Sequence, residues 1–249
     1  MHILVTGSNG FIGRNLLAQL SSIKEIEIET FTKDDSVDIL KEKVNQADFI
    51  YHLAGINRPK DPQEFYEGNR DLTKKIVDLL EKKEKKIPIL ISSSIQAEKE
   101  NDYGKSKLQA EEMLKSYAFD NSTCVYIYRL PNVFGKWCRP NYNSVIATWC
   151  YNIVHDLPIQ VNDASVILNL VYIDDVVHAF IESLKHMDKD GVAYCNVEPV
   201  YRRSLGEIRD LLFLYKKGVP PTNDVDGFEH ALYETYMNYA QEKEENAKL

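Results

Sequence analysis

Apolar residues along the chain fall into short, often β-branched runs, which alternate with stretches where they recur every three or four positions. That is the pattern of strands alternating with amphipathic helices, and so of βαβ units and a parallel sheet. The run HILVT predicts a buried first strand over 2–6, and a glycine-punctuated turn leads to a helix over 11–22, FIGRNLLAQLSS. IEIETF, 26–31, predicts a second strand, and SVDILKEKV a helix with Val37, Leu40 and Val44 on one face. DFIYHLAG, 48–55, and IPILISSS, 87–94, predict two further strands, separated by a helix over 69–83. A helix over 103–117 and a strand over 124–130, CVYIYRL, complete the alternation.

Beyond residue 131 the pattern loosens. NSVIATWCYNIV, IDDVVHAFIESLKH and SLGEIRDLLFLYKK predict helices, separated by Asn-, Pro- and Gly-rich loops such as KWCRPNYN and KKGVPPTNDVDG. The expected organisation is a nucleotide-binding core over 1–130, to which later elements are free to return, and a smaller lobe over 131–240. The tail 241–249, almost without apolar residues, is expected to fray or to be a linker. The fold class expected is α/β, a Rossmann-type doubly wound parallel sheet with a small C-terminal substrate-binding lobe.

Composition narrows the function. The 249 residues are 44% hydrophobic and 27% charged, enough for a sizeable core. The net charge is −8 and no basic tract is present, so nucleic acid is not an expected partner. Cys124, Cys138, Cys150 and Cys195 show no metal-ligand spacing, so no metal site and reduced thiols are expected. MHILVTG reads directly as a strand rather than a signal peptide, and no apolar run approaches the roughly 18 residues of a membrane span. A soluble cytoplasmic protein is the expectation.

The chemistry concentrates at three places. VTGSNGFIG sets Gly7, Gly10 and Gly13 between the first strand and the first helix, with Asn9, Phe11, Ile12 and Arg14 among them. Glycine lets a backbone approach a phosphate, and the helix that follows aims its N–H groups at the anion. The GxxGxxG spacing matches the dinucleotide fingerprint only in part, and a tight turn with close helix–sheet packing is the competing reading. At the end of the second strand, where an acid selects NAD and a cation NADP, Lys33 precedes Asp34. This favours NADPH, with Lys33 and Arg14 near its extra phosphate, and leaves NADH as the alternative. Third, Tyr103 and Lys107 stand four apart on one helix face, just after ISSS. A phenol titrates at about 10, and an ammonium about 4 Å away would attract the phenolate by roughly 4 kcal/mol, bringing it towards acid–base use. A serine there would share the substrate oxygen, although Ser92, Ser93 and Ser94 also read as caps. His52 reads as structural or adjacent to the cofactor.

Taken in order, TGSNGFIG, HLAG, SSS, YGKSK, RLPNVFG and YIDDVV resemble the extended short-chain dehydrogenase/reductases that act on nucleotide sugars. The resemblance implies that the glycine turn holds the pyrophosphate and that Leu53, Ala54 and Gly55 line the cofactor. It implies Ser94, Tyr103 and Lys107 as the catalytic set, with Lys107 also on the nicotinamide ribose. Ile95 and Gln96 stand where the dehydratases of the family carry an Asp–Glu pair, which argues against dehydration. ADFIYHLAGINRP, SSSIQA, YGKSKLQAE and FGKWCRPNYNSVIATWCYNI are similar to the reductase domains of the bifunctional capsular-polysaccharide enzymes of the UDP-N-acetyl-L-fucosamine pathway. Those domains use NADPH to reduce the C4 ketone of a UDP-2-acetamido-2,6-dideoxy-hexos-4-ulose, giving UDP-N-acetyl-6-deoxy-talosamine. In those enzymes a C-terminal cupin domain performs the preceding 3-epimerisation and binds zinc. Nothing cupin-like is found here, so a cupin-type 3-epimerase, on the same full-length chain or a separate one, is an expected partner. An NAD-dependent 4-epimerase and a non-catalytic nucleotide-binding protein are the competing functions.

For a UDP-linked substrate, Lys136, Arg139, Arg202 and Arg203 are the candidate cations for the diphosphate, and Asn132 resembles a family position near the sugar. The resemblance also implies a homodimer through the helices at 69–83 and 103–117; their apolar residues Ile76, Leu79, Leu80, Leu108, Met113 and Leu114 permit it, although the core needs apolar faces too.

Overall fold

The computed structural model describes residues 1–82, 86–187, 190–222 and 224–247. In chain order the elements begin β1 (His2–Thr6), α1 (Phe11–Leu20), β2 (Glu27–Phe31), α2 (Val37–Gln46) and β3 (Phe49–His52). A single turn α3 (Gln63–Phe65) and a π-helical turn (Tyr66–Asp71) run into α4 (Leu72–Leu80). Next come β4 (Ile89–Ser94), a 3-10 turn (Ile95–Glu98), α5 (Asp102–Asn121), β5 (Cys124–Leu130) and β6 (Asn132–Phe134). The remainder is α6 (Val145–Val154), β7 (Ile167–Tyr172), α7 (Ile173–Glu182), β8 (Gly191–Cys195), β9 (Tyr201–Ser204), α8 (Leu205–Lys216) and α9 (Phe228–Asn246).

Two compact units result, Met1–Leu130 with Val177–Val197, and Pro131–Val176 with Glu198–Leu249. The first holds a six-stranded sheet in the order β2-β1-β3-β4-β5-β8, parallel throughout. This is the doubly wound α/β architecture. The inner strands β1, β3, β4 and β5 are buried on both faces, whereas the edge strands β2 and β8 are partly exposed. Leu4, Ile50, Ile89, Ile91, Val125 and Ile127 of the sheet pack with Leu40, Ile76, Leu80, Ala110 and Leu114 of the helices. On the other side, Tyr51 and Tyr128 donate to the carbonyls of Phe180 and Ala179, each at 3.0 Å. Those two bonds hold the later part of α7 in this unit. The order reverses between β1 and β3, the place where open α/β sheets bind ligands at the carboxyl ends of their strands.

The second unit has a three-stranded sheet, β6-β7-β9, with β6 parallel and β9 antiparallel to β7. None of these strands, nor α9, was legible in the loose region after residue 131. They are short or, in β7, carry Asn169 amid the apolar run.

Local chemistry sets the helix starts. Ser36, Asn101, Ser144 and Ser204 each accept a hydrogen bond from the first turn of α2, α5, α6 and α8, with Glu207 completing a capping box at Ser204. The helix α1 starts at Gly10 with no side-chain cap and no acidic residue in its first turn.

Several boundaries differ from the sequence expectation. The strand expected over 48–55 stops at His52, because Leu53–Gly55 turns past the β1–α1 loop. The helix expected over 69–83 begins as the π-helical turn and ends at Leu80, and Lys83 lies outside the described residues. The tail expected from 241 is helical through Asn246. Its helix buries Phe228, Leu232 and Tyr236, and Lys243 donates to the Val154 carbonyl at 2.6 Å, satisfying an α6 end. Residues 248–249 of that tail, and Asn223 of the loop expected at 216–227, lie outside the described residues. No helix among the described residues is long and apolar enough to cross a membrane.

The buried Tyr117 hydroxyl closes the entry to β4, donating to the Ile87 carbonyl at 3.0 Å and accepting from the Ile87 N–H at 3.2 Å. Tyr117→Phe leaves both groups unpaired in the core and is expected to cost about 1–3 kcal/mol. Urea denaturation would read this as a lower midpoint at unchanged slope, and an unchanged midpoint would refute it.

Candidate active site

Three backbone segments meet at the β1/β3 reversal. Gly7, directly after β1, has φ 71° and donates to the Phe31 carbonyl at 3.0 Å. A Cβ there would come within 2.6 Å of the Ala54 nitrogen, so only glycine lets the β1–α1 turn lie against the end of β3. Gly10 donates to the Gly7 carbonyl at 2.9 Å and begins α1, while Gly13 is buried in its first turn. Asn9 is exposed on the turn, Phe11 and Ile12 are half-buried at the helix start, and Arg14 is exposed one turn in. The uncapped first-turn amides and the positive end of the helix dipole suit an anion. This donor set fits the diphosphate of a dinucleotide.

Across the reversal, Leu53 donates to the Thr6 carbonyl at 3.2 Å and Ala54 to the Thr6 hydroxyl at 3.3 Å. Gly55 follows, and a Cβ on it would sit 2.7 Å from Asn69 Oδ1 and 2.9 Å from Lys107 Nζ. The absence of a side chain at Gly55 is thus what lets the Lys107 ammonium reach this edge. Lys33 lies in an exposed turn after β2, which Asp35 closes by accepting from the Thr32 N–H at 2.7 Å and its hydroxyl at 3.1 Å.

Tyr103 and Lys107 stand one turn apart on α5, whose start Asn101 caps. Ser94, at the end of β4, is near enough to the Tyr103 phenol to draw its pKa down, and it caps the turn that follows, accepting from Gln96 N–H at 3.2 Å. The capping reading of this serine holds. Ser93 is committed elsewhere, donating to the Glu111 carboxylate. The Phe65 ring packs against Tyr103 at 5.4 Å between centroids. Lys107 is buried, its Nζ donating to the Ser92 carbonyl at 3.2 Å and lying 6.0 Å from the Tyr103 ring centre. Lys105 points outward and pairs with Glu100 at 3.3 Å.

The electrostatics correct one expectation. The ammonium was expected to draw the Tyr103 phenol down, yet burial raises it, only partly offset by the nearby Ser94 side chain. Burial also lowers Lys107 to about 8, against the opposing pull of Glu111. In the protein alone, desolvation outweighs the pair's mutual attraction.

Two groups escaped notice in the sequence. Asn69, in the π-helical turn, accepts from the Ile56 N–H at 2.9 Å and donates to the Ile56 carbonyl at 3.0 Å and the Ser106 hydroxyl at 2.9 Å. Glu111, one turn beyond Lys107 and 0% exposed, receives Arg129 through Nε at 3.1 Å and a second nitrogen at 2.6 Å. A carboxylate four residues after a lysine looks like a solvated surface pair, and nothing in the sequence told that β5 would bring Arg129 beneath it.

The candidate substrate residues all belong to the second unit. Asn132 opens β6 and donates to the Asn169 carbonyl at 3.4 Å, and Asn169 pairs in register with Arg202 on β9. Lys136 pairs with Asp174 at 3.2 Å, and Arg139 lies 5.2 Å over the Tyr142 ring. Arg203 is held by Asp226 at 2.5 Å. Of the apolar residues that could serve either a dimer contact or the core, most serve the core. Ile76, Leu80 and Leu114 are core, Leu79 and Met113 pack on that core, and Leu108 is exposed.

Removing the Glu111 charge, as in Glu111→Leu, leaves Arg129 with only the exposed Glu98 at 2.8 Å and Ser93 without its acceptor, and is expected to cost about 3 kcal/mol. The double variant with Arg129→Met should recover much of that in the same denaturation assay. Equal stability of Glu111→Leu and the parent chain would show the pair to be energetically idle.

Comparison with known proteins places this geometry. The chain is 46% identical over 245 residues to a Pseudomonas aeruginosa protein named UDP-2-acetamido-2,6-beta-L-arabino-hexul-4-ose reductase, covering 97% of this chain and 66% of that one. It superposes on the capsular polysaccharide assembling protein CapF from Staphylococcus aureus with a TM-score of 0.85 and 44% identity, covering 96% of this chain and 66% of that one. The chain therefore spans slightly less than two thirds of the length of both. UDP-glucuronic acid 4-epimerase from Bacillus cereus, solved with NAD, shares the fold at a TM-score of 0.82 and 18% identity, with 97% of this chain and 99% of that one covered. Residues 3–195 match the model of the NAD dependent epimerase/dehydratase family, and the chain belongs to that family.

Proposed function

We propose that this chain carries an NAD(P)-dependent nucleotide-sugar 4-ketoreductase. The substrate is a UDP-2-acetamido-2,6-dideoxy-hexos-4-ulose and the product UDP-N-acetyl-6-deoxy-talosamine, a precursor for capsular or other surface polysaccharide. Identity with the Pseudomonas reductase across 97% of the chain supports the substrate class. The observation that carries the chemistry is the placement of Tyr103 at the sheet's carboxyl edge, its ring 6.0 Å from the buried Lys107 ammonium that donates to the Ser92 carbonyl at the end of β4. Ketone reduction needs a proton donor at neutral pH, whereas the reverse oxidation needs the phenolate that burial disfavours.

Held by the Gly7–Gly13 turn and Leu53–Gly55, a nicotinamide dinucleotide would supply the hydride for C4. Tyr103 gives its proton to the developing alkoxide, and Ser94 holds the same oxygen. Lys107 carries the positive charge that steadies the phenolate left behind, and its ammonium binds the nicotinamide ribose. Aimed in advance at the place where charge develops, these groups lower the barrier without reorganising. The exposed Lys33 and Arg14 favour NADPH, with NADH the alternative. Asn132, Lys136, Arg139 and Arg202 are the proposed contacts to the UDP-sugar. Ile95 and Gln96 lack the acid and base of a dehydratase. A homodimer through the exposed side of α5, near Leu108 and Gln109, and a cupin-type 3-epimerase acting first, belong to the same reading, as does a cytoplasmic location.

The test is loss of NADPH absorbance with a UDP-linked 4-keto-6-deoxy-hexosamine, with and without a separate 3-epimerase. Consumption that Tyr103→Phe lowers by about 100-fold or more supports the reading. Consumption equal in Tyr103→Phe, or none despite cofactor binding, would overturn it, the latter pointing to an epimerase or a binding protein.

The pH dependence follows from Lys107. Burial lowers its pKa to about 8, so the ammonium is present below that pH and lost above it. The ratio kcat/KM, which reports the free enzyme, is expected to fall as pH rises through about 8. Lys107→Arg, whose guanidinium stays charged, should remove that break whatever its absolute rate, and a break that persists would show another group to be responsible.

A further inference from the structure

The buried ring of His52 lies at the end of β3, between two threonines on different elements. Its Nδ1 is 2.8 Å from the Thr6 hydroxyl and its Nε2 is 2.9 Å from the Thr73 hydroxyl. The direction of every bond in this group can be worked out. Thr73 spends its one proton on the Asn69 carbonyl at 2.6 Å, so His52 Nε2 must donate to it. Ala54 N–H donates to the Thr6 oxygen, and Thr6 in turn has its proton to give to Nδ1. A neutral ring, protonated on Nε2 alone, satisfies every partner. Burial, with the Lys107 charge adding to it, pushes His52 down to about 3 and keeps it in that form.

The line of bonds does not stop at Asn69. The Asn69 side chain donates to the Ser106 hydroxyl, which donates to the Tyr103 carbonyl at 2.8 Å. The same amide holds both backbone groups of Ile56. The Leu53–Ile56 segment is thus fastened at Ala54 through Thr6 and at Ile56 through Asn69, with Gly55 between them against Lys107 Nζ.

We propose that His52 is a positioning residue for the reaction, joining the strand-end segment that lines the dinucleotide to the helix that carries Tyr103 and Lys107. It touches neither substrate nor cofactor in this assignment. It sets their mutual placement, because a continuous run of donors and acceptors leaves no rotational slack between β1, β3, the π-helical turn and α5. An apolar side chain would fill the same space without this directional constraint. The inference rests on the reductase reading for what is positioned, and its test separates the two.

The full chain is measured for Tm, NADPH affinity by fluorescence, and kcat and KM with the keto sugar. Asparagine at 52 retains an acceptor where Nδ1 stood and loses the donor towards Thr73. His52→Asn should therefore lower kcat by about 10- to 100-fold while NADPH affinity holds. Glutamine retains a donor near the place of Nε2 and loses the acceptor for Thr6. His52→Gln should weaken NADPH binding by about tenfold with a smaller loss in kcat. Thr73→Val should reproduce the kcat loss and Thr73→Ser, which keeps the hydroxyl, should restore it. This second pair decides the matter if the His52 variants do not fold. Losses that merely follow the folded fraction, or Thr73→Val turning over like Thr73→Ser, would overturn the positioning role alone. A parent chain that binds neither NADPH nor NADH would overturn the reductase reading and this inference with it.

Discussion

An ammonium buried at the edge of a parallel sheet is the constraint around which the first unit is arranged. Lys107 is inside the protein, and removing its charge from water is costly unless its surroundings answer it. The Ser92 carbonyl at 3.2 Å accepts its proton, and Glu111 one turn along α5 favours the charged form. Gly55 leaves the room that its Nζ occupies. Glu111 could not itself be buried without Arg129 on β5 and Ser93 on β4. One charged group at the edge of the sheet thus governs residue choice on two strands, the loop after β3 and a helix.

The sheet order explains why this happens where it does. With the reversal between β1 and β3, the loops leaving those strands part to opposite faces and open a crevice at their carboxyl ends. The Gly7 turn closes one wall by lying against Ala54. The α1 N-terminus, the only start among α1, α2, α5, α6 and α8 without a side-chain cap, points its amides there. The Ser94–Tyr103 pair stands two strands over, beyond β3. Family membership and the reductase reading lean on different parts of this arrangement, the first on the shared scaffold and the second on the Tyr103 phenol beside the buried Lys107.

The same burial that protonates Tyr103 and lowers Lys107 shows how little a pairwise estimate says before the surroundings are known. Two residues four apart on a helix invite a Coulomb argument at a surface-like dielectric. In the folded chain the desolvation of both is larger and opposite in effect on the phenol. Their charge balance in the working enzyme is therefore a property of the whole crevice and of what fills it.

By itself the sequence determined the alternation of β1 to β5 with helices, the glycine turn, and the placing of Ser94, Tyr103 and Lys107 around one strand end. These rest on local periodicity, turn chemistry and short spacings, which act within a few residues and are therefore written along the chain. Only the tertiary structure decided that Val177–Val197 returns to the first unit and that β6, β7 and β9 form a second sheet. Short strands draw their definition from partners far away in sequence. It alone also decided that Asn69, Glu111 and His52 would be buried in directed networks, since the Arg129, Thr6 and Thr73 that answer them are brought near only by folding. The polar residues that matter most to the placement of the site are the ones whose partners the chain order conceals.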